Sequence, residues 1–209
     1  MMKLKKSALL AAVLALCLLC GCGQKQETEA PKETEPDTAA VEEKVTAYAD
    51  IEIRDYGTVT VALCGEAAPE TVENFITLAK DGFYDGLTFH RIIEGFMMQG
   101  GDPNGNGTGG SDRTITGEFA ANGVENPLSH TRGAISMARA QPFDSASSQF
   151  FIVHEDSTFL DGQYAAFGYV TEGMDVVDKV CEMAEPVDNN GTIPADAQPV
   201  IESVTIREA

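Results

Sequence analysis

The sequence predicts an all-β-dominated domain, a closed antiparallel barrel of eight strands capped by two α-helices. Three observations lead there. Short runs alternating apolar and polar residues recur from residue 48 to the C-terminus. Only two segments carry helical period, and they do not alternate with the strands as a βαβ sheet requires.

Runs 48–55 and 58–64 alternate around Tyr56-Gly57 and read as a hairpin. In 69–80, Val72, Phe75, Ile76 and Ala79 recur at i, i+3, i+4 and i+7, and Pro69 suits the first turn of a helix. Strand-like runs follow at 87–93, 96–99, 134–138, 149–153, 165–170 and 200–207. Segment 173–183 is the second helix, its core stripe drawn as Val176, Val177, Val180 and Met183. Between 102 and 131 lies a long stretch rich in Gly, Asn and Ser, and loops of that length are usually functional or disordered.

The N-terminus reads as an address. Lys3, Lys5 and Lys6 precede an apolar run over 7–19, then Leu19-Cys20-Gly21-Cys22. A basic region, a short apolar region and small residues at a cleavage site describe an export signal over 1–21 rather than a spanning helix. The Leu-x-Gly-Cys ending resembles the bacterial lipobox, which implies cleavage after Gly21 and a lipid anchor on Cys22. Residues 22–46 then form an acidic tether with too little apolar surface to build a core, leaving one domain over 47–209. The expected location is extracytoplasmic and membrane-anchored.

The 209-residue chain carries a formal charge of −19, and loss of residues 1–21 removes three Lys and no acid, giving −22. Nucleic acid is therefore a poor partner for its surface. Cys64 and Cys181 are the two cysteines of the domain, and the sequence alone does not place them within bonding distance.

Several motifs fail on inspection. Residues 105–110 match G-x-G-x-x-G, but no helical stripe follows. Residues 102–107 begin like an EF-hand loop, whose closing Glu is replaced by Arg113. His90, His130 and His154 are far apart in sequence, and no base is evident beside Ser145, Ser147 or Ser148. The expectation is a chemistry with no metal and no cofactor.

The stretch FHRIIEGFMMQGGD at 89–102 is different. In a regular strand Phe89, Arg91 and Ile93 share one face, setting a guanidinium in a row of hydrophobes. Arg can lay its stem on apolar surface with its head in water, but it also suits one demanding reaction. Rotation about an X–Pro amide crosses a barrier of roughly 18–20 kcal/mol. In the twisted state the imide nitrogen regains a basic lone pair, and a cationic donor aimed at it stabilises that state over both planar ones.

The blocks FHRIIEGFMMQGGD, GTGG at 107–110, HTRGAISMARA at 130–140, SSQFFIV at 147–153 and FLDGQYAAFGYV at 159–170 stand in the order found in cyclophilin-type peptidyl-prolyl isomerases, which the chain resembles from about Val59 to its final strand. The resemblance implies an eight-stranded barrel with two helices and a non-covalent, cofactor-free rotation of X–Pro bonds. By matched position it implies Arg91 as the catalytic residue and Phe96, Met97, Phe151 and Leu160 as walls of a proline pocket. Gln99 and Gln149 would orient the substrate amide and Arg91, and Ala138 and Arg139 would pair with the peptide backbone. Phe159 stands where many eukaryotic members carry Trp, and Tyr164 where they carry His. Without an indole N–H one donor is gone, so tight cyclosporin binding is not implied.

The expected partners are proline-containing unfolded or extended segments and, through lipidated Cys22, a membrane, with the protein a monomer. A proline-peptide-binding module or holdase with little turnover is the alternative. A solute-binding lipoprotein would need two α/β lobes, which this strand-rich chain does not offer.

Overall fold

The computed structural model describes residues 45–209. The segment expected to be an export signal, the expected lipidation site Cys22 and the expected tether up to residue 44 lie outside the described residues. Among the described residues there are eight strands: β1 (Ala47–Ile53), β2 (Gly57–Leu63), β3 (Thr88–Ile93), β4 (Met97–Asp102), β5 (Ala134–Met137), β6 (Phe150–Val153), β7 (Ala166–Glu172) and β8 (Ile201–Glu208). The described residues also form two α-helices, α1 (Pro69–Lys80) after β2 and α2 (Met174–Met183) after β7.

The strands form one antiparallel sheet in the order β3-β4-β6-β5-β7-β2-β1-β8. The sheet curls until its two edge strands meet. Thr88 bridges to Val200, and the Ile201 N–H donates to the Leu87 carbonyl at 2.8 Å. Joining the edges removes the unpaired N–H and C=O rows that an open sheet would present. Barrel and helices agree with the fold that the alternation predicted, and β1 and β2 pair as the hairpin drawn from 48–64.

Inside the barrel, Phe75 of α1 packs against Tyr84, Phe150 and Phe167, with ring centroids 5.1, 5.5 and 5.3 Å away. These four rings seal the barrel against α1. Pro69 lies at the helix start, but no neighbouring side chain caps it. The buried Glu118 does so from the long loop, accepting the backbone N–H groups of Glu70 and Thr71 at 3.0 and 2.8 Å. A carboxylate there also suits the positive end of the helix dipole.

Two details differ from the sequence reading. The stripe of α2 is Val176, Val177, Val180 and Cys181. Met183 is 60% exposed, because the helix ends on it and the next residue, Ala184, turns extended. Cys64 and Cys181 are both buried, and burial pushes the Cys181 thiol up to about 12.

The second difference matters more. Phe89, Arg91 and Ile93 do not share a face. Phe89 pairs with Gly100 and Arg91 with Gln99, so His90 is an extra residue in β3. Beyond this bulge the alternation is inverted: Phe89 and Ile92 enter the barrel core, while Arg91 and Ile93 face outward. On β4 the compensating extra residue is Gly101, at φ +78. A Cβ there would lie 2.7 Å from the Ser148 carbonyl, so backbone proximity as well as φ demands glycine. The displaced His90 is buried under the loop at Gly107.

Phe75→Ala is expected to cost about 3–5 kcal/mol by urea denaturation. Val187→Ala, at an exposed side chain, is expected to change stability by no more than about 0.5 kcal/mol.

Candidate active site

In an antiparallel ladder paired residues share a face, and the pairings on β3, β4, β6 and β5 align one outward row. Arg91 lies opposite Gln99, Gln99 opposite Phe151, and Phe151 opposite Ser136. One pleat further along, Ile93 lies opposite Met97, and Met97 opposite Val153. The outer face thereby gains an apolar cluster separate from the barrel core. It comprises Met97, Ala134, Phe151, Val153 and Leu160, with Ile93, Phe96, Ala138, Tyr164 and Tyr169 packed against it. Its five central residues are buried, and the exposed Phe159 stands at its border.

Arg91 stands at the rim of that cluster. Its Nη1 donates to Gln99 Oε1 at 3.3 Å and lies 3.7 Å from Met97 Sδ, its Nε donates to the Asn190 carbonyl at 2.7 Å, and the guanidinium carbon is 5.9 Å from the centre of the Phe96 ring. Burial lowers the pKa of Arg91 from its ordinary value, with Tyr164 and Asp188 opposing the shift. That ordinary value is so far above neutrality that the group keeps its charge.

The guanidinium also orders the amides behind it. Arg donates and never accepts, so Gln99 must turn its oxygen toward Arg91. The Gln99 amide nitrogen then donates to Gln149 Oε1 at 2.9 Å, and the Gln149 nitrogen donates to the Gly109 carbonyl at 2.8 Å. One permanent cation thus sets the direction of a polar line running from the apolar cluster to the glycine-rich loop.

The floor of the cluster is held from below. Phe151 stacks on His130, with ring centroids 6.0 Å apart at 17°, and His130 is fully buried. His130 Nδ1 lies 2.8 Å from Asp161 and Nε2 lies 2.9 Å from Ser136 Oγ. The ionised Asp161 only accepts, so Nδ1–H donates to it and Nε2 accepts from the serine hydroxyl. Burial lowers the His130 pKa from its ordinary value, against the pull of Asp161. The imidazole is a rigid neutral shelf, facing no open part of the cleft.

Tyr164 meets Phe151 edge-on at 5.9 Å. Phe159 is 72% exposed and tilts over Phe96 at 5.7 Å, forming the lip beside Leu160. Ala138 donates its N–H to the Gln149 carbonyl just past the end of β5. The Arg139 side chain does not reach into the cleft as a free charge. Its guanidinium lies 5.1, 5.1 and 4.7 Å from the rings of Phe119, Phe143 and Tyr164, and donates to the carbonyls of Ala140, Gln141 and Gln163. Beside Gln99 and Gln149 a cavity of about 340 Å3 opens among the 107–111 loop, Ala138–Ala140, Ser145 and Ser147.

The residues that the family resemblance implied as catalytic or substrate-binding, from Arg91 to Tyr164, border this face or its rim. His130 is structural, as its sequence position implied, and the Asn190 carbonyl and the rings of Phe119 and Phe143 beside Arg139 are additions from the structure. No local pattern marks a backbone acceptor 99 residues from its donor.

Residues 48–209 match the family described as cyclophilin type peptidyl-prolyl cis-trans isomerase/CLD. A peptidyl-prolyl cis-trans isomerase of Helicobacter pylori strain J99 is 48% identical over 137 residues, 65% of this chain and 81% of that protein. Peptidyl-prolyl cis-trans isomerase B of Bacillus subtilis strain 168 is 50% identical over 123 residues, 59% of this chain and 82% of that one. In three dimensions the chain is similar to a Cryptosporidium parvum cyclophilin type peptidyl-prolyl cis-trans isomerase, solved in the presence of the dipeptide Ala-Pro. The TM-score is 0.67 at 29% identity, covering 78% of this chain and 99% of that one. The family match spans the barrel from β1 to β8 and includes the whole outward face, and this chain belongs to the cyclophilin-type peptidyl-prolyl cis-trans isomerases, a family of enzymes.

Proposed function

We propose that the isomerase binds X–Pro segments of exported proteins on the outward face of β3, β4, β6 and β5. Arg91 is the donor to the twisted imide, and lipidated Cys22 tethers the chain to a membrane. The observation that carries the site assignment is the position of the Arg91 guanidinium, fixed by Gln99 and the Asn190 carbonyl at the edge of an apolar cluster that the barrel core does not need. The Ala-Pro present with the Cryptosporidium relative supports a proline-bearing ligand.

In this reading the proline ring rests on Phe151, with Met97, Phe96 and Leu160 around it and Phe159 and Tyr164 at the lip. A planar imide nitrogen has its lone pair spread over the carbonyl and is a poor acceptor. As the C–N bond rotates the pair localises on nitrogen, and a guanidinium N–H directed there binds the rotating state more strongly than either end state. The rigid fork of Arg supplies that donor at any physiological pH. Gln99 and Gln149 orient both Arg91 and the substrate amide, and the backbone of Ala138 and Arg139 pairs with the extended peptide. No covalent bond forms and no proton is transferred.

The N-terminal address supports the setting. An export signal, a lipobox-like cysteine and an acidic tether suit an enzyme held off a membrane surface, where chains emerge unfolded. Several acyl chains on one cysteine hold far more firmly than a single chain would.

Arg91→Ala is expected to lower turnover by roughly 10²-fold in a protease-free assay on an X–Pro peptide, and wild-type turnover in that variant refutes the donor role. Turnover should be nearly flat between about pH 6 and 8 because Arg91 does not titrate there. The buried His90 and His130 do not disturb that window. Burial lowers both pKa values from the ordinary histidine value, so neutral rings persist as the pH falls into it. A clear step in the profile would restore an acid–base role. Cys22→Ala should shift the protein from the membrane fraction to the soluble one, and continued sedimentation with membranes contradicts the anchor.

A further inference from the structure

The turn at residues 187–192 has no part in the apolar cluster, yet it meets Arg91 at two levels. Along the backbone, Ile92 donates its N–H to the Gly191 carbonyl at 2.8 Å, Ile193 donates to the His90 carbonyl at 3.0 Å, and Arg91 bridges to Thr192. The turn therefore lies along the bulged segment of β3. At the side chain, the Asn190 carbonyl accepts from Arg91 Nε at 2.7 Å.

Asp188 builds this acceptor. One oxygen of its carboxylate takes the N–H groups of both Asn190 and Thr192 at 3.0 Å. The Gly191 N–H donates to the Asp188 carbonyl at 3.2 Å, and the Val187 N–H donates to the Thr192 carbonyl at 2.9 Å. The turn has no slack at Gly191, whose φ is +82. A Cβ there would stand 2.5 Å from Ile93 Cγ1 and 2.6 Å from the Ile92 carbonyl oxygen. With the backbone pressed this closely onto β3, the direction of the Asn190 carbonyl is fixed by the chain on both sides of it.

The consequence for Arg91 is orientational. A guanidinium is planar, so two bonds, at Nε and at Nη1, fix both its position and its plane. Gln99 supplies the second bond at 3.3 Å, longer than the first. Without the Nε bond the fork would pivot about Gln99, and the N–H that must meet the substrate nitrogen would sweep an arc.

We propose that Asp188 is a positioning residue for X–Pro isomerisation, acting through the Asn190 carbonyl to fix the plane of the Arg91 guanidinium. The proposal rests on the reading of Arg91 as the donor. Asp188 has no need to touch substrate.

The test uses the full chain. In Asp188→Ala, kcat for an X–Pro peptide is expected to fall about tenfold, the order of loss that sub-ångström misplacement brings, with KM held within about twofold because the apolar seat is untouched. The Arg91 Nε–H, followed by NMR, should exchange with water markedly faster than in the wild type. Asp188→Asn retains an oxygen acceptor and should recover most of kcat and the slow exchange. In an Arg91→Lys background, where no Nε–H remains, Asp188→Ala should cause no further loss. Unchanged kcat and exchange in Asp188→Ala overturns the proposal, as does a loss that persists undiminished in Arg91→Lys. Fast Nε–H exchange in the wild type overturns it without recourse to any variant. The two failures are separable. A fully active Arg91→Ala removes the donor role itself, whereas a large loss in Arg91→Ala beside an unimpaired Asp188→Ala removes only the part played by the turn.

Discussion

His90 has no partner opposite it in β4, and that one unpaired residue decides where Arg91 goes. In an unbroken strand Arg91 would follow Phe89 into the barrel, where an unpaired guanidinium would face Phe75 and Phe150. Burying a charge among rings is far costlier than inserting one residue. With the bulge, Phe89 and Ile92 fill the core, and Arg91 and Ile93 turn to the outside. The outward face depends on this inversion. Gln99, Met97 and Phe151 are the cross-strand neighbours of residues whose facing the bulge has set, and Gly101 absorbs the matching irregularity in β4.

What the bulge places, the surroundings immobilise. His130 stacks beneath Phe151 and is itself held at both ring nitrogens. Arg139 spends its charge on three rings and three carbonyls, one of those rings being Tyr164 at the edge of the cluster. Two arginines on one face thus have opposite uses. Arg139 is half-buried, its guanidinium committed to rings and carbonyls that tie the 140–147 loop to the cleft wall, while Arg91, also half-buried, is bound at Nε and Nη1 beside the apolar cluster. A donor that must act on a transient lone pair gains from being fixed beforehand, because no reorganisation is then needed during the rotation.

The parts of this molecule that follow a local period were legible in the sequence. Alternation located all eight strands, a 3.6-residue stripe located Phe75 on α1, and the ordered blocks from FHRIIEGFMMQGGD onward placed Phe96, Met97, Gln99, Gln149 and Phe151 together. The parts that depend on distant backbone were not. Alternation cannot reveal an insertion that the partner strand defines, so the sequence pattern alone sets Arg91 on the face of Phe89. Glu118 caps α1 from 47 and 48 residues away, and Asn190 meets Arg91 with a carbonyl that every residue possesses. Met183 fitted the helical stripe, but a stripe does not say where the helix stops.

The central claim is spatial, that a fixed cation and an apolar seat on the outer wall of the barrel address the same imide bond. A crystal structure of the chain with an Ala-Pro-containing peptide bound tests it most directly. The account predicts the proline ring lying on Phe151 beside Met97, with an Arg91 N–H directed at the X–Pro linkage from the side facing Gln99. A peptide seated elsewhere on the barrel, or a proline ring on Phe151 with Arg91 turned away from the linkage, would contradict it.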